Sequence, residues 1–267
     1  MASGNDGTGG RARIVDLLWG GPPRASRGPR PKLSLDRIVR TAIGIADIEG
    51  LDAVSMQRVA KELGYTTMSL YRHVPAKEQL VLVMVDTAVG RAPEVGRIEG
   101  WREQLEAVAR ALLATYQRRP WVLEAHSPGP PVGPGGLSWL EAFLGPLTRA
   151  GLDPGEAISA VTFLDGALRG LGRLGADMNR TRGRAGVSAV QAARDYADTL
   201  RGVVTDDAFP MLAGLVRDGL FDPPPGAVEE GAEEGVDMGT EVEFGLQRLL
   251  DGIHVHTRRR AAGLPPR

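Results

Sequence analysis

The residues from Ser55 to Val74, Ser-Met-Gln-Arg-Val-Ala-Lys-Glu-Leu-Gly-Tyr-Thr-Thr-Met-Ser-Leu-Tyr-Arg-His-Val, constrain this chain more than any other stretch. Ser55 is a helix-capping residue, placed to accept from the free N–H groups of a first turn. Met56, Val59, Ala60 and Leu63 follow at i, i+3, i+4 and i+7, which makes one apolar helix face. Gly64 falls where that helix must end, because glycine tolerates positive φ. Thr66 or Thr67 then caps a second helix that reaches about His73, and Leu70 and Val74 pin it to the first. Thr67, Ser69, Tyr71, Arg72 and His73 are left to reach outward. Small hydroxyls followed by an aromatic, a guanidinium and an imidazole suit a DNA major groove. Arg72 can read guanine or clamp a phosphate, and the hydroxyls can meet phosphates, base edges or thymine methyls. A helix-turn-helix presents the start of its second helix to base edges while its first crosses the backbone. Two helices packed in an ordinary α-helical core satisfy the same pattern, so spacing alone leaves both readings open.

The surrounding residues narrow the choice. A first helix ends in Ala46-Asp-Ile-Glu-Gly-Leu51; Val59-Ala-Lys-Glu-Leu-Gly64, Leu70-Tyr-Arg-His-Val74 and Lys77-Glu-Gln-Leu80 follow in order. This run, Leu35 to about Val85, resembles the N-terminal domain of TetR-family transcriptional repressors. Leu-Tyr-x-His-Val and Lys-Glu-x-Leu are similar to the branch that includes the tetracycline repressor. The resemblance implies that Ser55 and Gln57 touch phosphates and that Thr66, Thr67, Met68 and Ser69 face the groove. It implies backbone contacts for Tyr71, His73 and Lys77. Arg72 stands where the tetracycline repressor has a tryptophan, and Met68 where it has a proline, so no base preference carries over.

A chain of 267 residues is long enough for two domains and a substantial core. It has no cysteine, which removes disulfides and thiolate metal sites. No signal-peptide pattern or membrane-length apolar run is found, so cytoplasmic residence is expected. The net charge of −1 conceals an asymmetry. Arg11, Arg13, Arg24, Arg27, Arg30, Lys32, Arg37 and Arg40 crowd the start, whereas the charges from Asp222 to Glu243 are all acidic. The basic end therefore lies beside the helices proposed to read DNA. Met1–Gly10 reads as a soft tail, and the run Ile14–Trp19 as a short helix docking on a partner the sequence does not name. Prolines and glycines from Gly20 to Lys32 forbid a stable helix. Arg24, Arg27, Arg30 and Lys32 there form either a DNA arm, in the minor groove or along phosphates, or a solvated linker.

The expected class is all-α: an N-terminal three-helix helix-turn-helix DNA-binding domain, then a helical ligand-binding and dimerisation domain. The boundaries read as a flexible basic extension over 1–33, the helix-turn-helix domain over 34–80 and the helical domain over 81–260, with a tail over 261–267. Within the last domain an acidic flexible loop is expected over 222–239. Helices are expected over Ser34–Ile48, from Ala76 towards Val89, over Trp101–Tyr116, from Pro120 to Glu124 or Ala125, and over Leu137–Ala150. Further helices fall at Asp153–Ala176, Val187–Leu200, Asp206–Leu220 and Thr240–His256. Ser127–Gly136 reads as a Pro/Gly loop, Pro146 as an interruption, and Asn179–Gly186 as a mobile segment.

Val242, Leu246, Leu249, Leu250 and Ile253 line one face of the last helix. With part of the Asp153–Ala176 helix they are the expected homodimer surface; burial within their own domain is the alternative. A dimer suits the resemblance, since a two-fold pair of heads reads a palindromic operator. A small hydrophobic effector is the second expected partner. Tyr116, Trp121, His126, Trp139, Phe143, Phe163, Asp165 and Arg169 are candidate lining residues, because pockets combine aromatics with a few polar groups. Each alone fits a core position equally well. Gly170-Leu-Gly-Arg-Leu-Gly175 matches a dinucleotide fingerprint, but no strand–helix alternation surrounds it. No His-x-x-x-His pair exists, and no nucleophile–base pairing stands out. The chain is therefore read as a DNA-binding regulator and not an enzyme: a repressor released from its operator by a small-molecule ligand. A regulator that takes no ligand or acts as an activator is the alternative, and a helical enzyme or interaction module is a further one. No cofactor, no metal and no membrane partner is expected.

Overall fold

The computed structural model describes residues 6–20, 33–125, 129–224, 226 and 238–263. The expected arm residues Arg24, Arg27, Arg30 and Lys32, the pocket candidate His126 and most of the acidic 222–239 segment lie outside them. Among the described residues there are twelve α-helices, one 3-10 turn and no strand.

α1 (Asp6–Trp19) starts inside the stretch expected to be a soft tail. Ile14 is buried and Leu17 and Leu18 pack on the core, an i, i+3, i+4 stripe, and the helix lies against α5 (Lys77–Val89). The helical run at Ile14–Trp19 thus has a partner, and it extends one turn and more towards the N-terminus. Trp19 Nε1 donates to the Val132 carbonyl at 2.9 Å.

α2 (Leu35–Glu49) opens where the Ser34 hydroxyl accepts from the Arg37 N–H at 3.2 Å. It buries Ile38, Val39, Ala42, Ile43, Ile45 and Ala46. A 3-10 turn at Leu51–Ala53 leads to α3 (Met56–Leu63) and α4 (Thr67–Tyr71), and α5 packs back across α2.

The remaining helices are α6 (Trp101–Arg118), α7 (Trp121–Glu124), α8 (Pro134–Arg149), α9 (Pro154–Ala185), α10 (Ala189–Val203), α11 (Pro210–Arg217) and α12 (Gly239–Ala261). α8 begins three residues before the expected start, with Pro134 in its first turn, and it runs on through Pro146. α9 extends through the segment expected to be mobile. Asp177 pairs with Arg173 and Arg180 along it, and such i, i+3 and i+4 pairs offset part of the glycine penalty. The Gly170–Gly175 fingerprint is helix interior, without the strand-turn-helix that dinucleotide binding requires.

The chain divides into two compact units, residues 1–172 with 242–267, and residues 173–241. In the first, α12 runs antiparallel to α6 along a polar seam. Arg102 pairs with Asp251 at 2.8 Å, Gln247 donates to Glu106 at 2.8 Å, and Arg110 pairs with Glu243 at 2.9 Å. In the second, Ala197, Leu200 and Ala213 are buried, and Tyr196 meets Phe221 edge-on at 5.9 Å.

Candidate nucleic-acid interface

The helix pair is built by local rules that the sequence carries. Ser55 Oγ accepts from the Arg58 N–H at 3.1 Å and caps α3. Gly64 closes α3 at φ 75°, ψ 31°, where a side chain would be strained. The Tyr65 N–H then reaches back to the Ala60 carbonyl at 2.9 Å, which fixes the turn. Thr66 Oγ1 accepts from the Ser69 N–H at 3.4 Å and lies 3.0 Å from the Ser69 hydroxyl, so Thr66 caps α4. Val59, Leu70 and Val74 are fully buried and lock the two helices together. Truncating a side chain such as Leu70 there costs about 2–5 kcal/mol.

None of the ten residues expected at DNA is consumed by this packing. Gln57, Thr66, Met68, Tyr71, Arg72 and Lys77 are exposed, and Ser55, Thr67, Ser69 and His73 are half-buried. Met68 is 70% exposed at the tip of α4, an apolar side chain with no cover of its own. The cations divide into two groups. Arg58 is held by Glu49 at 2.9 Å and Glu62 at 2.5 Å; the hydrogen bond to Glu62, then that to Glu49, raises its pKa above the usual guanidinium value. It is a clip between α2 and α3. Arg40 pairs with Asp36 at 2.8 Å. Arg72 and Lys77 form no ion pair among the described residues, so their charge is free to meet phosphate.

Three polar groups that the sequence did not single out tie this head to the helices behind it. Asp47 on α2 accepts from Trp121 Nε1 at 2.7 Å and from Arg119 Nε at 3.2 Å. Arg119 also donates to the Ala88 carbonyl of α5 at 3.1 Å, so one guanidinium clasps two helices of the head. Asp86 on α5 accepts from the Gly135 and Gly136 N–H groups at 3.0 and 2.8 Å. Partners so distant in the chain leave no periodic signal.

Of the expected pocket residues, Tyr116, Asp165 and Arg169 come together. The Tyr116 hydroxyl donates to Asp165 at 3.3 Å, Arg169 Nε donates to Asp165 at 2.8 Å, and the guanidinium lies 5.4 Å from the Tyr116 ring. Burial, then the Asp165 charge, pushes the phenol pKa well up. Phe143 is buried core. Trp121 and Trp139 are buried braces: the first is bonded to Asp47, and the second donates to the Gly90 carbonyl at 3.1 Å. Phe163 is 67% exposed, so it lines no interior of its own unit. A groove of about 490 Å³ beside the end of α12, walled by Trp101, His254, Thr257 and Arg258, includes none of these candidates.

The expected dimer stripe is largely covered within its own unit. Val242, Leu246, Leu250 and Ile253 are buried in the core of their own unit, and Leu249 packs partly against it. That burial is the alternative the sequence left open for this stripe. What stays open is a face of α9 bearing Ile158, Ser159, Thr162, Phe163, Gly166 and Gly170, together with Phe244 on α12.

The comparisons with known proteins agree with this geometry. Residues 38–84 match the family model described as bacterial regulatory proteins, tetR family, and residues 93–257 match the tetracyclin repressor-like C-terminal domain. The chain is 37% identical over 262 residues to the HTH-type transcriptional repressor DrrR1 of Streptomyces coeruleorubidus, covering 97% of this chain and 92% of that one. Among solved structures, apo ActR of Streptomyces coelicolor is 25% identical with a TM-score of 0.67, covering 87% of this chain and 100% of that one. ActR in complex with actinorhodin is 27% identical with a TM-score of 0.63, covering 84% of this chain and 96% of that one. The chain belongs to the TetR family and is a DNA-binding transcriptional regulator, not an enzyme.

Proposed function

We propose that the chain is a homodimeric, cytoplasmic repressor that a small hydrophobic effector releases from a palindromic operator. The observation that carries this reading is the reading surface itself. Packing consumes Val59, Leu70 and Val74, and leaves Thr67, Met68, Ser69, Tyr71 and Arg72 at the surface. Two further observations support the rest. The open face of α9 carries no charge from Ile158 to Phe163, and a methyl group at Gly166 or Gly170 would meet nothing within 4 Å. A second copy packed on that face explains both features. The relative DrrR1 is named a repressor, and ActR was crystallised with actinorhodin and with (S)-DNPA. An effector releases DNA only by binding the released conformation better, and α5, clasped by Arg119 and Asp86, is the lever through which it acts. Among the described residues no helix is long and apolar enough to cross a membrane.

The test is selection of bound sequences from random duplex DNA by the full-length protein, with a Tyr71→Ala, Arg72→Ala double variant in parallel. Enrichment of a palindrome by the native protein alone is expected. A folded dimer that enriches nothing, or a double variant that enriches the same sequence, refutes the assignment.

A further inference from the structure

We propose that Asp86 is a positioning residue: from α5 its carboxylate caps the start of α8, and this cap holds the DNA-reading head in its binding pose. The idea rests on the operator-binding function proposed above.

The first turn of any helix leaves N–H groups without intrahelical partners, at the positive end of the helix dipole. α8 has no side-chain cap of its own, because its cap residue is Gly133. Asp86 supplies one from a different helix. Its Oδ2 accepts from the Gly135 N–H at 3.0 Å and its Oδ1 from the Gly136 N–H at 2.8 Å. Both bonds are charge-assisted and end on successive backbone groups, a fit that a single surface ion pair lacks.

The local sequence is arranged around that carboxylate. A Cβ at Gly133 would stand 2.3 Å from Asp86 Oδ1. One at Gly135 would stand 2.3 Å from the Asp86 carbonyl, and one at Gly136 2.6 Å from Pro131 Cβ. The Gly133-Pro-Gly-Gly136 run is therefore more than a loop composition: it is the space that α5 enters. The neighbouring groups close the same joint. The Ala92 N–H donates to Ser138 Oγ at 2.9 Å, and Trp139 Nε1 donates to the Gly90 carbonyl at 3.1 Å. On the far side Trp19 donates to Val132, which brings α1 to the same joint.

α5 is 13 residues long, with Asp86 near its end and Lys77 at its start. A rigid helix of that length, roughly 20 Å, carries a small rotation at one end to the other. A head fixed by the cap pays less ordering entropy on meeting DNA than one free to swing. Any movement of α8 away from α5 must break both carboxylate bonds, which is how an altered effector domain would reach the head.

The experiment uses the full-length protein and the operator duplex recovered by selection, with fluorescence anisotropy across a range of KCl. Asp86→Asn removes the charge and turns an amide against one N–H. Gly133→Ala wedges the same joint from the α8 side. Each is expected to weaken operator binding by about tenfold, within the range of ordinary allosteric couplings. The dimer should persist and the slope of log K against log[KCl] should stay unchanged, because no phosphate contact is lost. The double variant should be no weaker than the worse single, since both break one cap. A lowered melting point with unchanged operator affinity, or a changed salt slope, overturns the proposal. If Asp86→Asn does not fold, Gly133→Ala alone decides it. Native protein that binds no duplex at all fails the operator reading and this cap with it, whereas native binding matched by both variants fails the cap alone.

Discussion

Replacing Arg24, Arg27, Arg30 and Lys32 by alanine should flatten the salt dependence of operator binding about threefold. From Leu33 to Gly90 the head carries Arg37, Arg40, Arg58, Lys61, Arg72 and Lys77 against Asp36, Asp47, Glu49, Asp52, Glu62, Glu78 and Asp86. It is not basic, although it must bind a polyanion. Arg40 and Arg58 are committed to carboxylates; of the other cations Arg72 and Lys77 are the expected DNA contacts, and neither forms an ion pair among the described residues. Two per subunit are four per dimer, and about −0.9 per neutralised phosphate gives a slope of log K against log[salt] near −3.6. If the four basic residues that precede α2 also engage, twelve contacts give a slope near −11. Between about 50 and 200 mM salt the first case loses roughly 10²-fold in affinity and the second roughly 10⁶-fold. Fluorescence anisotropy of a labelled operator across that range separates them easily. The native protein should show the steep slope, and the quadruple variant the shallow one with its palindrome preference retained. A native slope near −4, unchanged in the variant, would refute the argument that this head needs its basic extension.

Phe163→Asp should give a folded monomer by light scattering with weakened operator binding, because the side chain is already 67% exposed and its loss leaves no hole in its own unit; an intact dimer would sink the α9 face. The seam between α6 and α12 should weaken in acid. The Gln247 and Arg110 hydrogen bonds hold Glu243 below its ordinary 4.5, and the Arg102 bond, then that of Arg248, holds Asp251 below 3.8. For carboxylates depressed by folding, the added stability is full above those ordinary values and is lost as pH falls through the lower folded ones. Thermal melts at stepwise lower pH should therefore show a smaller acid loss in Glu243→Gln than in the native protein, and equal losses would count against the seam.

Where one local rule decides a position, the sequence showed it. Ser34, Ser55 and Thr66 cap the helices they precede, and Gly64 turns the chain at positive φ. Each outcome depends on residues three or four positions away, so the reading head was legible almost residue by residue. The joints behind it depend on partners far along the chain: Asp47 with Trp121, Asp86 with Gly135 and Gly136. No spacing rule brings such groups together, and the Pro/Gly composition of 127–136 disguised a built helix start as a loop.

The dimer surface shows a subtler limit. Periodicity reports that Val242, Leu246, Leu250 and Ile253 are covered, yet cover by the same subunit and cover by a partner give the same pattern. The structure assigns that stripe to its own core. The better signal is the residue its own subunit cannot explain. Glycine inside a helix costs about 1 kcal/mol relative to alanine. Gly135 offsets that cost with a close approach to Asp86, but Gly166 and Gly170 face open space. Beside the exposed Phe163 and Ile158, these two open glycines fit the second copy proposed on the α9 face.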